Sequence, residues 1–217
     1  MAKTSIYEIK QELLIFLRNS DIISITDRGV TTTNQTGSFS NVSSVTVGTT
    51  PTLIKNVRLI TVSSVALVFG DDYTVNYTTG EITFTSAQTG AYLIRYDAGS
   101  TDRVFPDYPQ ANKKISDFPR IGFDIISGAT SEFGIGALVS QSEYIISITF
   151  YDRNQDTVEK AIATIRTKLL DNKKDFFYMP FLTVTNMGPL LITPFGQNKV
   201  MQRNQDIMVK FVFEDSD

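Results

Sequence analysis

Apolar side chains at Ile6, Ile9, Leu13, Phe16 and Leu17 recur at the spacing of one helical face, which predicts an amphipathic helix over about 4–18. Thr4 or Ser5 is placed to cap it, and Glu8 falls in its first turn. Its other side, with Glu8, Lys10, Gln11, Glu12 and Arg18, is expected to face solvent. Ile22, Ile23 and Ile25 predict a short strand closed by Asp27-Arg28-Gly29. From Thr31 to Asn41 the residues are largely Thr, Asn, Gln, Gly and Ser, and so little to bury predicts an exposed loop. Short β-branched or aromatic runs follow at Val42–Val47, Leu53–Val62, Val65–Phe69, Tyr73–Tyr77, Glu81–Thr85 and Tyr92–Tyr96. The turns Thr78-Thr79-Gly80 and Gln88-Thr89-Gly90 each end in a glycine suited to positive φ. A compact antiparallel module over 37–100 is expected.

The polar, proline-bearing stretch Ala98–Pro119 reads as a return linker, and Ile121, Phe123 and Ile125 then alternate as a strand. Ser127–Gly136 reads as a loop, and Tyr144, Ile146, Ile148 and Phe150 line one side of the next strand. After a turn at Asp152–Gln155, a second helix over 156–171 buries Val158, Ile162, Ile165 and Leu169, with Asp156 and Glu159 resembling a capping box. Phe181–Thr185 and Leu190–Thr193 are strand candidates, and Pro189 and Pro194 confine the second to an edge or turn. In the last strand Ile207, Val209, Phe211 and Phe213 share one face while Met208, Lys210 and Val212 share the other. A strand with apolar residues on both faces is covered twice, by the chain's own first helix or by a neighbouring subunit, and in the second case Met208, Lys210 and Val212 are the candidate subunit or partner interface. The pattern predicts an α+β fold: a mixed or antiparallel sheet flanked by two helices (about 4–18 and 156–171), with an inserted antiparallel β module. The expected division is a core of 1–36 and 101–217 and an inserted β-rich module of 37–100.

Composition narrows the chemistry. The chain has neither cysteine nor histidine, so Ser-His-Asp, Cys-His, zinc-protease and facial-triad sites cannot be built. A net charge of −3 with no basic stripe argues against coating nucleic acid; Lys113-Lys114 and Lys173-Lys174 read as solvated pairs. No apolar run approaches the ~20 residues that cross a bilayer, and synthesis in a cytoplasm is expected. Gly134-Ile135-Gly136 lacks the third glycine of a dinucleotide fingerprint, and Asp71-Asp72 reads as a turn before it reads as a cation site. Asp71, Asp72 and Glu81 are the nearest thing to a glycosidase carboxylate pair, and Tyr73, Tyr77, Tyr92 and Tyr96 to a sugar-stacking platform. The expectation is a protein that is not an enzyme, with no cofactor and no metal.

The order of elements carries a resemblance. An amphipathic first helix, a proline-preceded strand at Phe118-Pro119-Arg120-Ile121, and the strand Glu143–Phe150 running into the helix Thr157–Leu169 resemble the tail terminator, or tail completion, proteins of long-tailed bacteriophages. The resemblance covers about 1–30 and 103–217. Residues Asp72–Phe84, with Gly90 and Ile94-Arg95-Tyr96, are similar to small β modules of phage structural proteins. Family members usually lack so large an insertion.

The resemblance implies a virion structural protein at the tail-neck junction. It would form a homo-oligomeric ring, a hexamer, that caps the tail tube, ends its polymerisation and docks the head-tail connector protein. DNA can pass through such a ring without specific binding, and no membrane is involved. The alternatives are a head-completion or connector (neck) protein, and a host-surface carbohydrate-binding β module.

Overall fold

The computed structural model describes residues 6–48, 54–99, 102–106, 118–132, 139–195 and 198–214, with backbone alone at 132, 139, 195, 198 and 212–214. The chain divides into two compact units, a terminal one of Met1–Leu14 with Val104–Asp217 and a central one of Ile15–Arg103. The division falls inside the first helix, α1 (Ile6–Asn19). Among the described residues strands hold 57% and helices 20%, in two sheets with three helices, so the expected α+β sheet flanked by two helices is overturned in favour of a mostly β protein. The excess of strand comes from polar segments that read as loops. Main-chain hydrogen bonds and β-branched threonines hold them in sheets without an apolar face.

In the central unit the expected strand around Ile25 is instead a short helix, α2 (Ile25–Arg28). Ser24 caps it by accepting from the Asp27 N–H, and Gly29 closes it at φ 70°. The expected loop at Thr31–Asn41 is the start of β1 (Thr31–Thr46). β2 (Ile54–Val62), β3 (Val65–Ala66) and β4 (Tyr73–Asn76) lead to β5 (Glu81–Ala98). The sheet order is β1-β5-β2-β3, and β4 also pairs with β5. Gln88-Thr89-Gly90 is therefore no hairpin turn, since Gly90, at φ 121°, lies within a strand that runs on. Val57, Ile60, Ile82, Phe84 and Ile94 build the core with Phe39, whose ring stacks on Tyr92 at 4.0 Å.

Gly80 does close a turn, at φ 75°, and a Cβ there would lie 2.5 Å from the Val47 carbonyl oxygen. Gly80→Ala is expected to cost about 2–4 kcal/mol, combining a left-handed backbone with a main-chain clash. Urea unfolding measures it; a loss below about 0.5 kcal/mol, the size of an ordinary surface substitution, would show that the turn yields.

A charged network is buried beside this core. The Arg28 side chain is 1% exposed and that of Asp97 0%. Arg28 Nη1 donates to Asp97 Oδ2 at 3.0 Å, while its Nε and Nη2 grip both oxygens of Asp102 at 3.1 and 3.0 Å. Arg18 pairs with Asp102 at 3.1 Å. Arg58 Nε and Thr32 Oγ1 donate to Asp97 Oδ1 at 2.6 and 2.7 Å, and the rest of the Arg58 fork holds Asp21. Burial pushes the Asp97 carboxyl up, but hydrogen bonds from Arg58 and Thr32 and the charges of Arg28 and Arg58 outweigh it and hold the group below the usual carboxylate range. Arg18 was expected to face solvent; it is buried because Asp102 and the Lys55 carbonyl receive its guanidinium.

The terminal unit is built on β6 (Val104–Phe105), β7 (Arg120–Glu132), β8 (Val139–Asp152), α3 (Gln155–Asn172), β9 (Phe181–Met187), β10 (Leu191–Phe195) and β11 (Asn198–Glu214). Its sheet runs β10-β11-β8-β7-β6, with β9 pairing to β11 as well. β6 lies in the stretch read as a linker, and β7 takes the first part of the Ser127–Gly136 loop; both are joined by main-chain pairing to neighbouring strands. Pro194 sits in β10, an edge strand, as its missing N–H requires. Asn154, rather than Asp156, caps α3, accepting from the N–H groups of Asp156 and Thr157 at 2.8 and 3.4 Å. The predicted stripe of Val158, Ile162, Ile165 and Leu169 is fully buried against β8, β9 and β11.

Ile9 and Leu13 of α1 are buried as predicted, but Glu12, expected at the surface, is only 8% exposed. Its carboxylate receives the Phe177 and Tyr178 N–H groups at 2.5 and 2.9 Å. Burial nevertheless pushes the Glu12 carboxyl up to about 7, against the pull of these donors and of the Met179 N–H. The expected α1 caps Thr4 and Ser5, the pair Lys113-Lys114 and the fragment Gly134-Ile135-Gly136 lie outside the described residues.

Candidate interaction surface

The register of the six-stranded sheet sorts its residues onto two faces. Ile146 opposes Ile207, Ile148 opposes Phe123 and Phe150 opposes Ile121, and this face packs on α3. The other face carries the alternate residues: Ser147, Thr149 and Tyr151 of β8, Gln202, Asn204, Asp206, Met208 and Lys210 of β11, and Thr183 and Phe181 of β9. Small side chains at Ser147 and Thr149 leave a hollow between larger neighbours. Ile126, Ser147, Thr149, Tyr151, Leu191, Gln202, Arg203 and Asn204 line a cleft of about 430 Å³.

Its floor is tied together by hydrogen bonds. Ser147 Oγ donates to Asp206 Oδ1 at 2.8 Å, and Asn204 Nδ2 donates to the same oxygen at 2.7 Å. Gly188 permits this arrangement, since a Cβ there would fall 1.9 Å from Asn204 Oδ1. Arg203 donates to the Gly188 carbonyl and pairs with Glu159 of α3, so its charge is balanced. The rim is apolar, with Ile126 53% and Leu191 49% exposed.

Met208 lies on this same face, two residues beyond Asp206 along β11, opposite Ile145 and Thr183. Lys210 follows, opposite Glu143 and Phe181, and its ammonium meets Glu143 Oε2 at 2.8 Å. Phe181 is 63% exposed. The Val212 side chain lies outside the described residues, and its backbone pairs with Gln141. Apart from Met208, the β11 residues on this face from Gln202 to Lys210 are polar, which the apolar-on-both-faces argument did not anticipate.

No protein-family model matches this chain, and no curated protein matches it.

The surface therefore has to be read from its own chemistry. Ser147 Oγ donates a hydrogen bond to a carboxylate oxygen that also accepts from Asn204, so the floor presents fixed hydrogen-bonding groups. Among the described residues no three Asp or Glu side chains stand together as metal ligands. Asp72, half of the candidate carboxylate pair, receives the Val68 N–H at 2.8 Å and belongs to a turn. Tyr73 and Tyr96 are buried in the central core and Tyr92 is stacked on Phe39, so these rings form no open platform for a sugar. The cleft residues Ser147, Thr149, Asn204 and Asp206 escaped the sequence reading. Their only trace was the polar half of the alternation in the two strands, and nothing in the chain order said that those strands are neighbours.

Proposed function

We propose that this chain is a non-catalytic virion structural protein that caps the tail tube of a long-tailed phage as a closed homo-oligomeric ring, a hexamer. In this reading it ends tube polymerisation and joins the tail to the head connector. The observation that carries the proposal is the sheet face opposite α3. It holds a hydrogen-bonding cleft with an apolar rim, continued by Met208 and Phe181, a mixture typical of protein contact surfaces. The resemblance of α1 and of the β8-to-α3 unit to tail terminator proteins supplies the kind of partner. A ring needs a contact between two different patches whose rotation closes, and otherwise the same contact grows a filament.

Two measurements test this. Phe181→Asp combined with Met208→Asp is expected to weaken ring formation or tube binding at least tenfold, read by native mass and by imaging with purified tubes, without loss of helical circular dichroism. Virions assembled without the protein should carry overlong tubes and detached heads. Normal tail length and normal head attachment in its absence would sink the reading.

A further inference from the structure

The sheet of the central unit treats its edges unequally. β3 has two residues and β4 four, too short to template another chain. β2 carries Lys55 and Arg58, and its Lys55 carbonyl is taken by the Arg18 guanidinium. These are the devices by which edge strands avoid pairing with foreign strands. β1 has none of them over its first part. From Thr31 to Thr46 it contains no charged residue and no proline, and among the described residues it pairs with β5 alone. Its first irregularity, the register shift after Phe39 with Asn41 at φ 54°, comes only after nine regular residues, and a second follows between Val42 and Ser44. Within those nine, Thr31, Thr33, Asn34, Thr36, Gly37 and Ser38 are exposed.

An edge of this kind offers the outward main-chain donors and acceptors of every second residue, which an extended strand satisfies. We propose that the outer edge of β1 joins antiparallel to β1 of a second copy, making one continuous sheet across a two-fold axis. The occupant follows from charge and symmetry. A strand without charge meets its own copy without like-charge repulsion, and two identical antiparallel strands are self-complementary about a two-fold. The proposal uses the central unit alone and stands apart from the tail-end reading. Two-fold pairing added to a closed ring joins copies in pairs, so the two contacts together give assemblies with an even number of chains.

The chain lacks cysteine, so single-cysteine variants carry one thiol each. Thr32, Thr33, Asn34, Gln35, Thr36 and Ser38 would be changed to Cys one at a time, with Thr78→Cys as an exposed turn control, and each protein mildly oxidised. Directly opposed residues of antiparallel strands have Cα atoms about 4.5–5.5 Å apart, inside the disulfide window of about 4.4–6.8 Å. One step along both strands moves two copies of the same residue out of that window. Disulfide-linked dimer is therefore expected at one position, or two adjacent ones, at least tenfold above the control. Adding lysine at two of Thr33, Thr36 and Ser38, leaving out the position that carries the cysteine, should return the yield to the control level, because like charges then meet on both copies. Yields equal to the control at every position, or a yield that the two lysines leave unchanged, would overturn the proposal.

Discussion

Asp97→Ala is expected to destabilise the central unit by about 3–5 kcal/mol, the usual cost of removing one partner from a buried ion pair. Arg28 would keep Asp102, and Arg58 would keep Asp21, yet each would lose a charge-assisted hydrogen bond in a site whose Arg28 side chain is 1% exposed. Asp97→Asn preserves the shape and loses the charge, and should fall between wild type and alanine. Hydrogen exchange of the β5 amides reads the loss within this unit. A change under about 1 kcal/mol, the scale of an exposed pair, would mean that Asp102 and Asp21 alone balance the arginines. The pH dependence has a definite sign. The Asp97 carboxyl is held below its ordinary range, so its contribution is complete above about pH 4 and drains away as pH falls through the folded value.

Glu12 gives the opposite slope in the terminal unit. Its folded carboxyl titrates near 7 against an ordinary 4.5, so between these values the folded state holds a proton that the unfolded state has released. Stability should thus fall as pH rises from about 4.5 through 7, by about 3 kcal/mol in all. Thermal melts from pH 5 to 8 should shift downward in the wild type and stay level in Glu12→Gln, which cannot ionise. The glutamine variant also offers an NH₂ where Phe177 or Tyr178 presents an N–H, so it should start from a lower melting temperature at pH 5. A wild-type melting temperature that holds steady across this range would show that the backbone donors keep Glu12 ionised throughout.

Sequence reading succeeded where side chains carry the period of the structure. Val158, Ile162, Ile165 and Leu169 mark a helix face, and Ile146, Ile148 and Phe150 a strand face, because each buries an apolar row. It failed where the main chain does the holding. Thr31–Asn41 and Ser127–Ser131 lie in strands and have mostly exposed side chains, so no alternation of apolar and polar residues announced them. Glu12 and Arg18 looked solvent-facing because charge was taken to mean surface. Their partners, the amides after Asp175 and the Asp102 carboxylate, lie far along the chain. The cleft failed for the same reason: Ser147 and Asp206 meet through strand register, 59 residues apart.

The pairing of β1 with β5 also fixes a schedule for the growing chain. Thr31 must wait for Ala98 and Thr46 for Glu81, so β1 emerges well before its neighbour exists. At synthesis rates of about 5–20 residues per second, the wait for the outermost pair lasts roughly 3–13 s. Throughout that interval β1 has no partner strand to complete its ladder. An apolar strand in that position would be an aggregation site. Hydroxyl and amide side chains keep this one hydrated until β5 arrives, so the composition that disguises β1 as a loop also lets it remain soluble while incomplete.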